Sequence, residues 1–125
     1  DMCGVTLEVE STLIDEEIEV DPGLACRVLH NMVKNACEAS RNTVVKVKGW
    51  STDDKVIFSV HNDGVMTSEV KSKVFLYGNT TKEGFGRGLG TYSMKLIGEN
   101  YLHGKVWFKS EEGFGTEFYF ELDKA

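Results

Sequence analysis

Asn31 and Asn35 lie four residues apart, so in a helix they share one face, and Arg27 extends that line one turn back. Asparagine is a poor residue for a helix interior, because its amide competes for backbone hydrogen bonds. Two of them in register beside an apolar stripe form either a solvated flank or a pair of amide oxygens offered to a hard cation. Mg2+ prefers oxygen ligands and usually keeps phosphates and waters as further partners. A second group is Gly84-Phe85-Gly86-Arg87-Gly88-Leu89-Gly90, with glycine at alternate positions before a helical stretch. Glycine lets backbone amides approach an anion closely, and a helix N-terminus adds free N–H donors. The run matches no register of the dinucleotide fingerprint GxGxxG. Gly104-Lys105 is followed by Val106, which rules out the Walker A pattern there.

Two further groups are weaker when taken singly. Val60-His61-Asn62-Asp63-Gly64 places polar side chains directly after a strand, where an oxygen could accept the exocyclic amine of adenine, although a plain turn reads equally well. Gly113-Phe114-Gly115-Thr116 reads as a hairpin turn.

The elements that must position these residues follow from periodicity. Val5–Val9 alternates as a strand, and Ile18–Val20 suggests a short second one. Asp21 as cap and Pro22 at the first helical position open a helix that carries Leu24, Val28, Met32 and Ala36 and runs to about Ser40. Val44–Trp50 and Val56–Val60 form a hairpin about Thr52–Lys55, and a short helix covers Ser68–Leu76. Residues 77–89 lack periodicity and read as a mobile loop, a candidate lid. Helical spacing resumes from Thr91 to about Tyr101, and a last hairpin joins Lys105–Ser110 to Thr116–Leu122. About three helices and five to seven strands, mostly hairpin-linked, predict an α/β (α+β) two-layer sandwich: a mixed, mostly antiparallel sheet with the helices on one face.

Bulk properties agree. A chain of 125 residues fits one domain with one real core, and 41% hydrophobic with 27% charged residues is ordinary for a soluble globular protein. The apolar runs fall far short of the roughly 20 residues that span a bilayer, and no basic-then-apolar N-terminal stretch marks a signal peptide. A net charge of −6 argues against general nucleic-acid binding, but not against one nucleotide neutralised locally by a metal and a few cations. Cys3, Cys26 and Cys37 form no CxxC pair and read as reduced thiols, with Cys26 and Cys37 as small buried apolar residues of the helix. The start at Asp1 suggests a piece of a longer protein.

In order and spacing, the four groups resemble the GHKL ATPase superfamily, and within it the histidine kinase catalytic domain, from about Asp21 to Leu122. Asn31-Met32-Val33-Lys34-Asn35-Ala36 resembles the asparagine box, whose second asparagine, here Asn35, holds Mg2+ against the phosphates of ATP. Asn62-Asp63-Gly64-Val65-Met66 resembles the first glycine box, normally Asp-x-Gly-x-Gly. Lys73-Val74-Phe75 resembles the phenylalanine box bordering the lid, and Thr80-Thr81-Lys82 the Thr-Lys of lids whose lysine reaches the terminal phosphates. Gly86-Arg87-Gly88-Leu89-Gly90 resembles the second glycine box, and Gly113-x-Gly115-Thr116 the last, with its threonine near adenine. The chain departs from the pattern at Asn62, where most relatives have Asp, at Met66 in place of glycine, and at Thr91, where leucine is frequent. The oxygen of Asn62 can still accept from adenine, more weakly than a carboxylate, and Asp63 is the alternative reader.

The resemblance implies a fold, an activity and partners. ATP-hydrolysing members carry a glutamate general base four residues before the metal asparagine. Here Asn31 stands there, and an amide takes no proton near neutral pH. Transfer of the γ-phosphoryl group to a histidine fits better. His30 points about 100° away from Asn31 and reads as a surface or packing residue. His30, His61 and His103 all fall inside the nucleotide-binding fold, so the acceptor is expected on a separate dimerisation domain of the parent protein. A response regulator is expected downstream, with no nucleic acid and no membrane contact by this domain, which would work in the cytoplasm. An anti-sigma-type serine kinase and a nucleotide-binding pseudokinase are the alternatives on the same fold.

Overall fold

Alternating apolar residues build the sheet, and one amphipathic helix after another covers it. The computed structural model describes residues 6–11, 19–39, 44–76 and 87–124. β1 (Thr6–Ser11) runs parallel to β2 (Val44–Ser51), and between them in the chain comes α1 (Pro22–Ala39). Parallel neighbours require such a crossover. β2 pairs antiparallel with β3 (Lys55–Asn62), β3 with β5 (Gly115–Asp123), and β5 with β4 (Lys105–Glu111). The order is β1-β2-β3-β5-β4, a mixed and mostly antiparallel sheet as expected. α2 (Ser68–Lys73) follows β3, and α3 (Arg87–Lys95) continues into a wider π-helical turn at Leu96–Tyr101.

The register sends Val45, Val60, Phe118, Phe120, Leu122 and Val106 to one face. There they form a single core with Val28, Met32 and Ala36 of α1, Val74 after α2, and Met94 and Ile97. Ring contacts of Phe75 with Phe108 and Phe118 tie the segment after α2 into the same core. The start of α1 is as the sequence predicts: Asp21 Oδ1 accepts the N–H groups of Gly23 and Leu24 at 2.8 and 3.2 Å.

The opposite face is sealed by its own side chains. Glu117 is buried and accepts hydroxyl hydrogen bonds from Ser59 at 2.6 Å and Tyr119 at 2.8 Å. Tyr119 stacks on Trp107 with ring centroids 5.1 Å apart. At the sheet edge, Lys95 donates to the Val106 carbonyl at 3.1 Å, while Glu99 accepts the Val106 N–H at 2.9 Å. Two side chains thus satisfy one residue of edge strand β4 that would otherwise be open to another chain.

Three expectations need correction. The described residues form five strands, the low end of the expected range. Val20 packs against the core instead of entering a strand, and Ile18 lies outside the described residues. α3 begins at Arg87 and not at Thr91. Its end is π-helical, and there Gly98 sits against β4, where an added Cβ would come within 2.5 Å of Val106 Cγ2. Cys26 is exposed, whereas Cys37 is buried as predicted. Of the expected lid at residues 77–89, residues 77–86 lie outside the described residues, and 87–89 belong to α3.

Burial and the hydrogen bond to Glu117 push the Tyr119 hydroxyl up from 10.0 to about 12. The neutral phenol is the folded form, so its contribution to stability is complete below about pH 10 and is lost as pH rises through about 12. One of the four tyrosines should therefore ionise near pH 12 in a tyrosinate absorbance titration, and Tyr119→Phe should remove that late step.

Candidate functional site

The site is assembled where the end of α1, the end of β3 and the β4–β5 hairpin meet. Gly64 lies so close to α1 that an added Cβ would come within 2.4 Å of the Ala39 carbonyl oxygen. Gly115 has φ +97°, and a Cβ there would stand 2.3 Å from the Asn62 carbonyl oxygen. Both positions require glycine, and together they bring three distant segments into backbone contact. Gly113 also has a positive φ, but it faces open space and serves only the turn.

Hydrogen bonds complete the junction. Thr116 pairs with Asn62 across β3 and β5 and is buried, and its hydroxyl donates to the Gly64 carbonyl at 2.8 Å. Ser110 Oγ lies 2.7 Å from Thr116 Oγ1 and accepts the Met66 N–H at 2.9 Å. His61 Nε2 is 2.6 Å from the Phe114 carbonyl, which holds the hairpin turn against β3. Asn62 is 1% exposed, and its Oδ1 accepts the Gly64 N–H at 2.7 Å. Asn62 Nδ2 is buried with no hydrogen-bond partner among the described residues. An unsatisfied buried donor costs about 1–3 kcal/mol and calls for an explanation, of which a missing ligand is one.

The residues expected from sequence fall as follows. Asn31 and Asn35 are half-buried on successive turns of α1, beside the buried stripe of Val28, Met32 and Ala36, while His30 and Arg27 are exposed. Asn62, Gly64 and Thr116 are brought together, and Asp63 is half-buried in the bend that follows β3. Arg87, Gly88, Leu89 and Gly90 form the first turn of α3, so their N–H groups have no partner within the helix. A Cβ at Gly90 would meet nothing within 4 Å. α1 and α3 pack against each other. Thr81, Lys82 and Gly86 lie outside the described residues. Thr91 is buried, and its hydroxyl donates to the Val74 carbonyl at 2.5 Å, joining α3 to the end of α2.

Sequence reasoning missed Ser110 and Ala39. Ser110 had a usable signal, as the polar member of the alternating set Val106, Phe108 and Ser110 on an apolar face. Ala39 had none, because it contributes only its carbonyl. Among the described residues no group of three or more His, Cys, Asp or Glu could hold a metal. A cation here would depend on amide oxygens and on oxygens of its ligand.

The family described as histidine kinase-, DNA gyrase B- and HSP90-like ATPase matches residues 20–125. A probable C4-dicarboxylate sensor kinase of Halalkalibacterium halodurans is 29% identical over 96% of this chain and 24% of its own length. Sporulation kinase E of Bacillus subtilis is 34% identical over 93% of this chain and 16% of its own length. The chain thus spans a quarter or less of these relatives. The catalytic domain of histidine kinase ThkA superposes with a TM-score of 0.83 at 33% identity, covering 98% of this chain and 82% of that one.

The two hairpin glycines should separate cleanly on substitution. Gly113→Ala meets only the left-handed backbone and should cost about 1–2 kcal/mol. Gly115→Ala adds a backbone clash and should cost about 3 kcal/mol or more in denaturant unfolding.

Proposed function

From the premise that this chain belongs to the histidine kinase-, DNA gyrase B- and HSP90-like ATPase family, we propose that it binds Mg-ATP and transfers the γ-phosphoryl group to a histidine outside this domain. The observation that carries the reading is the junction of Asn62, Gly64 and Thr116, with one buried amide donor left over for a ligand. Its donor set suits a purine nucleotide. Amide and hydroxyl groups at the end of β3 and the start of β5 take the base. The N–H groups of Arg87, Gly88, Leu89 and Gly90 take phosphate oxygens at the start of α3. Asn62 is the better candidate for reading the base than Asp63, because it is buried in the junction while Asp63 lies in the bend beyond the strand.

Asn35 would hold Mg2+ through its amide oxygen, with Asn31 one turn earlier on the same face. The ion supplies positive charge against the phosphate oxygens. Thr81 and Lys82 would add a hydroxyl and a second cation at the terminal phosphates. In the transfer, the bond from the γ-phosphorus to the bridging oxygen breaks, and a bond forms to an imidazole nitrogen of the acceptor. ADP leaves with the bridging oxygen, and the ring nitrogen needs no deprotonation by an enzyme base if it attacks as the neutral tautomer. That suits a site whose position four residues before Asn35 is the amide Asn31 and not a carboxylate.

The acceptor histidine would be carried by a dimerisation domain of the same parent protein, with a response regulator downstream. ThkA forms a complex with the response regulator TrrA, and its structure there superposes on this chain with a TM-score of 0.79 at 30% identity. Among the described residues no helix is long and apolar enough to cross a membrane. The proposed activity is cytoplasmic, where ATP is available.

Calorimetric titration with ADP, with and without Mg2+, tests the site directly. Mg2+ should strengthen binding, and Asn35→Ala should reduce the Mg2+-dependent affinity by about tenfold or more. Well-folded protein that binds no ADP would sink the proposal. With labelled ATP and a supplied acceptor domain, an acid-labile phosphoprotein is expected. An acid-stable product would mean a serine kinase, and binding without transfer a pseudokinase.

A further inference from the structure

The amide of Asn62 has only one workable orientation. With Oδ1 toward Gly64 it accepts the backbone N–H at 2.7 Å, whereas the flipped amide would set two donors against each other. The remaining group is therefore Nδ2, which is buried and without a partner among the described residues. A ligand that fits this atom must bring an acceptor to it. The backbone that carries it is held on both sides: the Asn62 carbonyl lies against Gly115, and Gly64 lies against Ala39.

We propose that Asn62 reads the nucleotide base by donating from Nδ2, so that the site accepts 6-oxopurine nucleotides alongside adenine nucleotides. This deepens the nucleotide-binding reading above and rests on it. On a purine, position 6 and the adjacent N1 decide the match. Adenine carries a donor at position 6 and an acceptor at N1, whereas hypoxanthine carries an acceptor, O6, at position 6. A carboxylate at residue 62 offers acceptors only, so it pairs with the 6-amino group and repels O6. The Asn62 amide donor pairs with N1 of adenine or with O6 of hypoxanthine, so each ring satisfies the orphaned atom. Discrimination by unpaired buried groups reaches 10⁴ or more only when the wrong substrate leaves such a group unsatisfied, and here neither purine does.

The test is calorimetric competition among ADP, IDP and the 5′-diphosphate of unsubstituted purine riboside, with Mg2+ present. The wild-type chain should bind ADP and IDP within about tenfold of each other. Losing the 6-amino group altogether should change affinity by less than about threefold, because N1 remains. Asn62→Asp, checked for folding by thermal melting, should widen the preference for ADP over IDP by at least tenfold. Wild-type protein that binds ADP but rejects IDP by more than a hundredfold, or that loses more than tenfold on the unsubstituted purine, would overturn the proposal, as would an unchanged ratio in folded Asn62→Asp. The purine riboside measurement decides the matter should that variant not fold. Failure to bind any of the three diphosphates would instead sink the nucleotide-binding reading itself.

Discussion

Two backbone approaches that exclude even a methyl group hold the site together: Gly64 on the Ala39 carbonyl and Gly115 on the Asn62 carbonyl. The sheet alone fixes β3 against β5, but it says nothing about where the end of α1 must lie. The Gly64 contact supplies that, and with it the position of the turns carrying Asn31 and Asn35. Packing then follows, because Ala36, one turn before Ala39, is fully buried against the sheet. The small side chains Ala36 and Ala39 and the two glycines let the helix end, the strand end and the hairpin share one point. Larger residues there would force the layers apart and separate the groups that this junction brings together.

The rest of the molecule keeps that point rigid. On the helix face a single apolar core runs from Val28 to Leu122. On the other face the buried Glu117 accepts hydrogen bonds from the hydroxyls of Ser59 and Tyr119. Lys95 serves three neighbours, as it reaches Glu99 and the Val106 carbonyl and lies 4.7 Å from the Phe75 ring centroid. It thereby couples α3 to β4 and to the segment that follows α2. Thr91 adds a second tie from α3 to that segment through the Val74 carbonyl. The helix that opens with the glycine turn is therefore anchored on two sides.

Much of this was legible in the residues. Asp21-Pro22 marked the start of α1, and the alternating runs marked β2, β3, β4 and β5 with their hairpins. What was misread has physical causes. Gly88 and Gly90 are poor helix formers, so local propensity placed the start of α3 at Thr91, whereas its docking against α1 and the Thr91 hydroxyl bond carry the helix back to Arg87. Thr91 marked a departure from the leucine frequent at that place, and its hydroxyl is buried and bonded. Ile18–Val20 has strand-like residues, yet Val20 contributes to the core from outside the sheet. The closeness of Gly64 to Ala39 could not be read at all, because it joins residues far apart in the chain through backbone atoms only.

Electrostatics give the last constraint. The chain carries a net charge of −6, an unfavourable background for a polyanion. The side chains that meet at the junction of β3 and β5 are nevertheless neutral: the Asn62 amide and the hydroxyls of Thr116 and Ser110. A neutral donor adds no repulsion toward phosphate and is little affected by salt, whereas surface charges beyond a Debye length of about 8–10 Å are screened. Replacing Asn31 or Asn62 by a carboxylate would introduce negative charge where screening is weakest. Amides at these two positions therefore do more than conserve shape. They let an acidic protein keep an uncharged, donor-bearing junction.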